Sequence, residues 1–331
     1  MSRSRVTLRA VYQARQRIAG LAVKTPLLPA PWLSEEQGTS VYLKLETAQR
    51  TGSFKIRGAA NRLQSLPHQD RNRGVITVSS GNHGRAVAYA ARQLRIPAVV
   101  CMSTRVPSNK VESIRRLGAE VVLQGDTYDE AERHAVHLQQ ARGLTMVPPF
   151  DDPHIIAGQG TVGLEILEDL PEVDTILAPL SGGGLLGGIA LVLKSADPSI
   201  RTVGVSMERA PVMYHSLRAG HPIAMEEEPT LADALAGGIG LDNQHTFGMI
   251  QHYVDETLRV TEEEIASAMA FALARHHLVL EGGGAVALAA VLQGKLQEPG
   301  EHVVIVLSGG NVEVSLLLDI MRQHWDAAGS G

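Results

Sequence analysis

The stretch Val75-Ile76-Thr77-Val78-Ser79-Ser80-Gly81-Asn82-His83-Gly84, running on into Arg85-Ala86-Val87-Ala88-Tyr89-Ala90-Ala91-Arg92-Gln93-Leu94, decides the fold. Val75 to Val78 is a short apolar strand, the next six residues form a polar glycine-containing turn, and the alanine-rich segment after it is a helix. Working outward, the unit repeats. Ile96 to Met102 reads as a strand, Pro107 to Leu117 as a helix, Ala119 to Leu123 as a strand, Asp126 to Arg142 as a helix and Leu144 to Val147 as a strand. Strands alternating with helices of about 10–15 residues indicate a parallel sheet covered on both faces.

Phe150-Asp151-Asp152-Pro153 looks like a crossing between domains, after which the alternation resumes. A helix is expected from Thr161 to Asp169, a strand from Asp174 to Leu180, a helix from Leu185 to Ser195 and a strand from Thr202 to Met207. Thr261-Glu262-Glu263-Glu264 is a capping box that opens a helix to about His276. Val303 to Leu307 is a last buried strand. Toward the N-terminus, Val6 to Ile18 has helical spacing, and Pro26, Pro29 and Pro31 force an extended path. Val41 to Leu45 alternates as a strand, and Thr51-Gly52-Ser53 turns into a helix that carries Lys55 near its start. The simplest account is an α/β protein of two doubly wound, parallel-sheet domains.

Composition narrows the class. At 331 residues the chain has room for two domains of ordinary size. A formal net charge of −5 leaves no footprint for nucleic acid or a polybasic membrane patch, so neither partner is expected. No apolar run reaches about 18 residues, so no membrane span is expected. The N-terminal arginines are not followed by an apolar stretch, so no signal peptide is expected. Cys101, the only cysteine, has no intramolecular disulfide partner, which fits a reducing cytoplasm. Much of the glycine is clustered, and such clusters serve close backbone approach to a ligand.

Ser53-Phe54-Lys55-Ile56-Arg57-Gly58-Ala59 sets a lysine between an aromatic and an isoleucine. Taken alone, such a lysine most often lies on the wet face of a helix, because lysine is almost never fully buried. In an apolar wall, lost solvation disfavours its charged form and lowers its pKa. The neutral amine is then a nucleophile that forms a Schiff base with an aldehyde.

Ser181-Gly182-Gly183-Gly184-Leu185-Leu186-Gly187-Gly188 follows an apolar strand and opens a helix. Consecutive glycines let backbone N–H groups converge at the positive end of the helix dipole, which makes a site for an anion such as phosphate. The alternative is a turn whose glycines only let helix and strand pack. Gly182, Gly184 and Gly187 also fit G-x-G-x-x-G, with Glu208 about 20 residues on where a ribose-binding acid would stand, so an NAD-dependent oxidoreductase is a rival. That rival leaves Lys55 and two further turns without a role. In the first, Ser79 to Gly84, exposed N–H groups suit a carboxylate and the Asn82 amide can donate to a phenolate; the alternative is a helix start capped by Asn82. His83 reads as structural there. In the second, Ser308-Gly309-Gly310-Asn311 ends the last strand, where ligands bind in parallel sheets, and Ser308 could hydrogen-bond a ring nitrogen; a plain turn is the alternative.

Together these motifs resemble the fold-type II pyridoxal-phosphate enzymes, the threonine/serine dehydratase and serine racemase family. Ile155-Ile156-Ala157-Gly158-Gln159-Gly160-Thr161 fits as well. The resemblance covers nearly the whole chain and implies a tryptophan-synthase-beta-like fold. Residues 1–67 with 147–331 would form a large cofactor-binding domain, and residues 68–146 a small one. It implies pyridoxal 5′-phosphate as cofactor and an amino acid as substrate. Lys55 would hold the cofactor as an imine and act as base at Cα. Gly182, Gly183, Gly184 and Leu185 would bind the phosphate, Asn82 the phenolic oxygen and Ser308 the ring nitrogen. Ser79, Ser80, Gly81, Asn82 and His83 would hold the substrate carboxylate, with Ser80 across the ring from Lys55 as a second catalytic group.

A serine cannot keep a pyridine nitrogen protonated as a carboxylate would, and the weaker electron sink suits loss of a β-leaving group. The expected reaction is elimination of water from a β-hydroxy amino acid, giving a 2-oxo acid and ammonia. Racemisation through Ser80 is the near alternative, and a non-catalytic cofactor-binding protein a further one. Where some serine racemases carry an acidic metal pair, this chain has Ser206 and Val212, so no metal of that kind is expected. Glu281-Gly282-Gly283-Gly284-Ala285 replaces the commoner Glu-Pro pattern; Glu281 could face the cofactor ring or serve as a helix-entry acid. Residues 204–209 and 231–243 resemble dehydratases of hydroxyectoine utilisation. The family also implies a homodimer.

Overall fold

The computed structural model describes residues 6–329, with side chains through His324; the N-terminal residues 1–5, with their arginines, lie outside the described residues. The chain opens with α1 (Leu8–Ile18), β1 (Leu27–Pro29), α2 (Pro31–Gln37), β2 (Ser40–Leu45) and α3 (Lys55–Ser65). Then come α4 (His68–Arg73), β3 (Val75–Val78), α5 (Asn82–Leu94), β4 (Ala98–Met102) and α6 (Ser108–Arg116), followed by β5 (Glu120–Leu123), α7 (Tyr128–Arg142) and β6 (Thr145–Met146). Next are α8 (Pro153–Asp169), β7 (Thr175–Pro179), α9 (Gly184–Ala196), β8 (Arg201–Met207), α10 (Val212–Ala219) and α11 (Thr246–Tyr253). The chain ends with β9 (Glu256–Val260), α12 (Glu262–His276), α13 (Gly282–Leu292), β10 (His302–Leu307) and α14 (Val314–Gly329).

The strands form two sheets, of order β1-β2-β10-β7-β8-β9 and β5-β4-β3-β6. Every strand of the smaller sheet comes from residues 75–146, and every strand of the larger from outside that range. Pairing is parallel throughout except at β1, which runs antiparallel to β2. Pro29 is tolerated there because an edge strand need not donate to a second neighbour. The larger sheet is covered on both faces. Val303, Ile305 and Leu307 of β10 join a core with α12 and α13, while Val304 and Val306 join one with α8 and α9. A strand buried on both sides has no polar face to show, so β10, β7 and β4 read as unbroken apolar runs. No helix among the described residues is long and apolar enough to cross a membrane.

One helix starts earlier than its sequence suggests. α8 begins at Pro153, eight residues ahead of the expected Thr161. Asp152 caps it, its Oδ1 accepting from the N–H groups of His154 (2.8 Å) and Ile155 (3.0 Å), with Pro153 at the first helical position. Gly158, Gly160 and Gly163 lie in its interior, where glycine usually weakens a helix. Packing explains them. A Cβ at Gly158 would lie 2.7 Å from Gly58 Cα on α3, and one at Gly188 of α9 would lie 2.7 Å from the Gly160 nitrogen. α3, α8 and α9 thus meet backbone against backbone.

Candidate active site

Registers in the larger sheet set the site. Leu45 pairs with Leu307 at the ends of β2 and β10, and β7 runs parallel on the far side of β10. The segments leaving these three adjacent strands are the turn before Lys55, the Ser308 turn and the glycine loop. Carboxyl ends of parallel strands are where ligands bind in such sheets. Two of the segments are strapped together. Phe54 N–H donates to Ser308 O (3.0 Å), Gly310 N–H donates to Gly52 O (2.9 Å), and Ser53 pairs with Gly309 in an antiparallel bridge.

Lys55 opens α3, and its Nζ donates to Pro149 O at 2.9 Å. The residue is half-buried, yet desolvation of the amine pulls its pKa down to about 8, against an opposing pull from the Glu281 carboxyl. The wet-face alternative therefore fails. His83 is buried, with Nε2 3.0 Å from Val147 O. Burial and the nearby Lys55 charge press its pKa down to about 3, so the imidazole is neutral and must donate Nε2–H to that carbonyl. The side chain is structural, and what the His83 position offers a ligand is its backbone.

The glycine loop divides into two parts. Gly183 has φ +83°, the left-handed region, and precedes the first turn of α9, which no side chain caps. Gly182, Gly184 and Leu185 are buried beside it, and the Phe150 ring covers the face where a Gly182 side chain would stand. Gly187 and Gly188 lie within α9, Gly188 serving the contact with α8. Packing therefore accounts for Gly188 and contributes at Gly182 and Gly184, which make room for Phe150, whereas Gly187 meets only ordinary contacts. Gly187 stands inside α9, as the third glycine of a dinucleotide pattern would too, and Glu208 is exposed beyond β8, so what weighs against the rival is Lys55 and the two other turns rather than this loop.

The turn after β3 also leads into an uncapped helix. α5 starts at Asn82 with Gly81 before it and no side-chain cap. Asn82 is thus not the cap that one reading allowed. Its Nδ2 donates to Glu281 Oε1 at 2.6 Å, and Asn311 Nδ2 donates to Asn82 Oδ1 at 2.6 Å. Glu281 precedes α13, but its carboxyl accepts from Asn82 and from Asn311 N–H (3.2 Å) instead of capping that helix. Burial lifts its pKa to about 7, with the Asn82 bond pulling the other way. Ser79 Oγ accepts from Gly81 N–H at 3.2 Å, and Ser80 is half-buried next to it.

A second buried assembly fixes α3 from its other face. Arg57, 1% exposed, donates to Glu46 Oε1 (2.7 Å) and Oε2 (2.8 Å) and to Glu165 Oε1 (2.6 Å) and Oε2 (2.8 Å). Lys44 Nζ lies 2.8 Å from Glu165 Oε2 and donates to Thr25 O at 2.7 Å. Desolvation opposes ionisation of Glu165, but the bonds from Arg57 and Lys44 hold its pKa below the usual carboxylate value.

These groups fit pyridoxal 5′-phosphate. That molecule needs an amine for its aldehyde, N–H donors for its phosphate, a donor for its phenolic oxygen and a partner for its ring nitrogen. Lys55 is desolvated, the first turn of α9 is uncapped, and Asn82 offers an amide. The Ser308 hydroxyl has only a 3.5 Å contact to Gly283 O, too long for a good O–H···O bond, and so is available. The buried Ser53 hydroxyl has no partner at all. Sequence reasoning gave Asn311, Arg85, Pro149 and Phe150 no part in this site. The first stood in the Ser308 turn and Phe150 opened the crossing segment, but only the folded chain brings Asn311 to Asn82, Pro149 to Lys55 and Phe150 to the glycine loop.

Comparison with known proteins agrees with the geometry. The pyridoxal-phosphate dependent enzyme family matches residues 18–309. A putative threonine dehydratase of Sinorhizobium fredii is 47% identical over 96% of this chain and 96% of its own length. An L-threonine ammonia-lyase of Thermotoga maritima is 44% identical over 96% of this chain and 79% of that protein. The structure of maize serine racemase superposes with a TM-score of 0.90 at 33% identity, covering 97% of this chain and 98% of that one. With the match spanning the lysine turn, both uncapped helices and β10, from residue 18 to residue 309, the chain belongs to the pyridoxal-phosphate dependent enzyme family, and pyridoxal 5′-phosphate is its cofactor.

Proposed function

We propose that the protein is a dehydratase and ammonia-lyase acting on a β-hydroxy amino acid, L-threonine, L-serine or a hydroxyectoine-derived 3-hydroxy amino acid, to give a 2-oxo acid. The observation that carries this reading is the desolvated Lys55 amine, strapped through Phe54 to a ring-nitrogen partner, Ser308, that is a hydroxyl and not a carboxylate. Bound there, the cofactor supplies an electron sink for the bond broken at Cα. The first turn of α9 at Gly182, Gly183, Gly184 and Leu185 holds the phosphate, Asn82 the phenolic oxygen and Ser308 the ring nitrogen. The turn from Ser79 to His83, at the positive end of α5, binds the substrate carboxylate through the N–H groups of Ser80, Asn82 and His83, those of Ser79 and Gly81 being held by Cys101 O and Ser79 Oγ. Lys55 Nζ takes the Cα proton. Its lowered pKa lets it hold that proton and release it near neutral pH.

The same reading includes a small domain of residues 68–146 beside a large one of 1–67 and 147–331, a homodimer and a cytoplasmic location. Its test is release of ammonia and 2-oxo acid from L-threonine, L-serine and 3-hydroxyaspartate. Stoichiometric release of both from at least one is expected, and no ammonia from any of them would end the proposal. The likeness to a serine racemase keeps racemisation, with Ser80 as the second proton carrier, as the other outcome. A chiral assay that finds the D-isomer without ammonia would favour it.

A further inference from the structure

We propose that Asn311, oriented by Arg85, is a positioning residue that fixes which end of the Asn82 amide faces the cofactor site. The proposal rests on the reading of Asn82 as donor to the cofactor's phenolic oxygen. A side-chain amide has nearly the same shape either way round, so its direction must come from neighbours that act in only one sense. Asn311 has two. The Arg85 guanidinium can only donate, and its Nη1 lies 3.0 Å from Asn311 Oδ1. The Thr51 carbonyl can only accept, and it lies 2.9 Å from Asn311 Nδ2. Both ends of Asn311 are therefore assigned, and its remaining N–H goes to Asn82 Oδ1. Asn82 must then turn its NH₂ away from Asn311, toward Glu281.

Space is kept for this arrangement. A Cβ at Gly52 would lie 2.5 Å from Asn311 Oδ1, so only glycine leaves the amide its place. Arg85 stands one helical turn beyond Asn82 on α5, whereas Asn311 follows β10 of the other sheet. The direction of one amide is thus set by groups from both sheets. It matters because an NH₂ facing a phenolate stabilises it, whereas the reversed amide would set a carbonyl oxygen against the same charge.

The test uses the full-length chain titrated with pyridoxal phosphate, reading affinity and the long-wavelength absorption of the bound cofactor. Asn311→Asp keeps the shape but can only accept, so it sets an acceptor against Asn82 Oδ1 and drives the amide to reverse against the hold of Glu281. Asn311→Leu leaves only Glu281 to direct the Asn82 amide. Asn311→Asp is expected to weaken binding roughly 10- to 100-fold and to reduce the long-wavelength band, more than Asn311→Leu does. A merely structural role predicts the opposite order, since aspartate is the closer mimic. In an Asn82→Ala background the extra loss should vanish.

Equal or better binding by Asn311→Asp than by Asn311→Leu would overturn the proposal. So would a loss that persists without the Asn82 amide, which would mean that the new charge acts directly. If Asn311→Asp does not fold, Arg85→Met supplies the comparison. It should give a smaller loss that depends on Asn82, and no loss would again refute the proposal. Unchanged affinity and band in Asn82→Ala alone would overturn the reading of Asn82 itself, and the proposal with it.

Discussion

Arg57, Lys44, Glu46 and Glu165 set two positive against two negative charges out of contact with water, and each finds partners at 2.6–2.8 Å. Glu281, also buried, has no such counterweight: it meets the Asn82 amide and the Asn311 N–H, and its pKa is lifted to about 7. Lys55 lies between the two regimes, two residues from Arg57 in sequence and within the field of Glu281. A balanced buried network holds one charge state over a wide pH range and fixes geometry. An unbalanced carboxyl near neutrality changes charge in response to whatever binds. The first suits a frame and the second suits a site.

The largest effect should come from the amine between them. Lys55→Ala should lower ammonia release at least about 10³-fold while thermal unfolding stays cooperative. A variant that retains full turnover would detach chemistry from the unbalanced side altogether. Next, Arg57→Met strands two carboxylates with only Lys44 between them. It should cost about 3–5 kcal/mol, read as a lower denaturant midpoint. A near-neutral result would show that the frame does not depend on its charges.

Glu281→Gln should act in the opposite direction. The carboxyl of the unfolded chain ionises near 4.5, and that of the folded chain only near 7. Between these values the folded chain keeps a proton that the unfolded chain has lost, so stability falls as pH rises across that window. The cofactor-free glutamine variant should therefore match the parent at pH 4 and exceed it at pH 8 by up to about 3 kcal/mol. The smallest effect concerns Lys55 itself. Its neutral fraction grows as pH rises through about 8, so the rate of cofactor capture should rise about fivefold from pH 7 to pH 8. A rate still climbing steeply toward pH 10 would mean the amine is better solvated than its surroundings imply.

Much of this was legible in the sequence. Parallel strands buried on two faces leave continuous apolar runs, so β3, β4, β7 and β10 were found where expected, as was the capping box at Thr261, whose two reciprocal bonds form. The start of α8 was not, because Gly158 and Gly160, ahead of the expected Thr161, look like breakers until the neighbouring helices are present. Lys44 sits in an alternating strand and Arg57 in an amphipathic helix, and nothing local marks either as buried. Their burial depends on Glu165, more than a hundred residues away from each. The Asn82, Glu281 and Asn311 contacts are likewise long-range. Motif reading could name the turns but not say which side chains would meet. Asn82 illustrates the limit, since its position favours a cap and its actual partners, Glu281 and Asn311, come from about two hundred residues further along the chain.

The bare-backbone contacts of α3, α8 and α9 carry a further implication. Where Gly158 meets Gly58 and Gly188 meets Gly160, backbone lies directly on backbone, which leaves these helices little room to shift at those points. The first of them begins at Lys55, and the third begins in the glycine loop. If Lys55 and the glycine loop hold the two ends of the cofactor as proposed, the trio would act as a fixed-jaw caliper, and a stretched or shortened analogue would reach only one jaw.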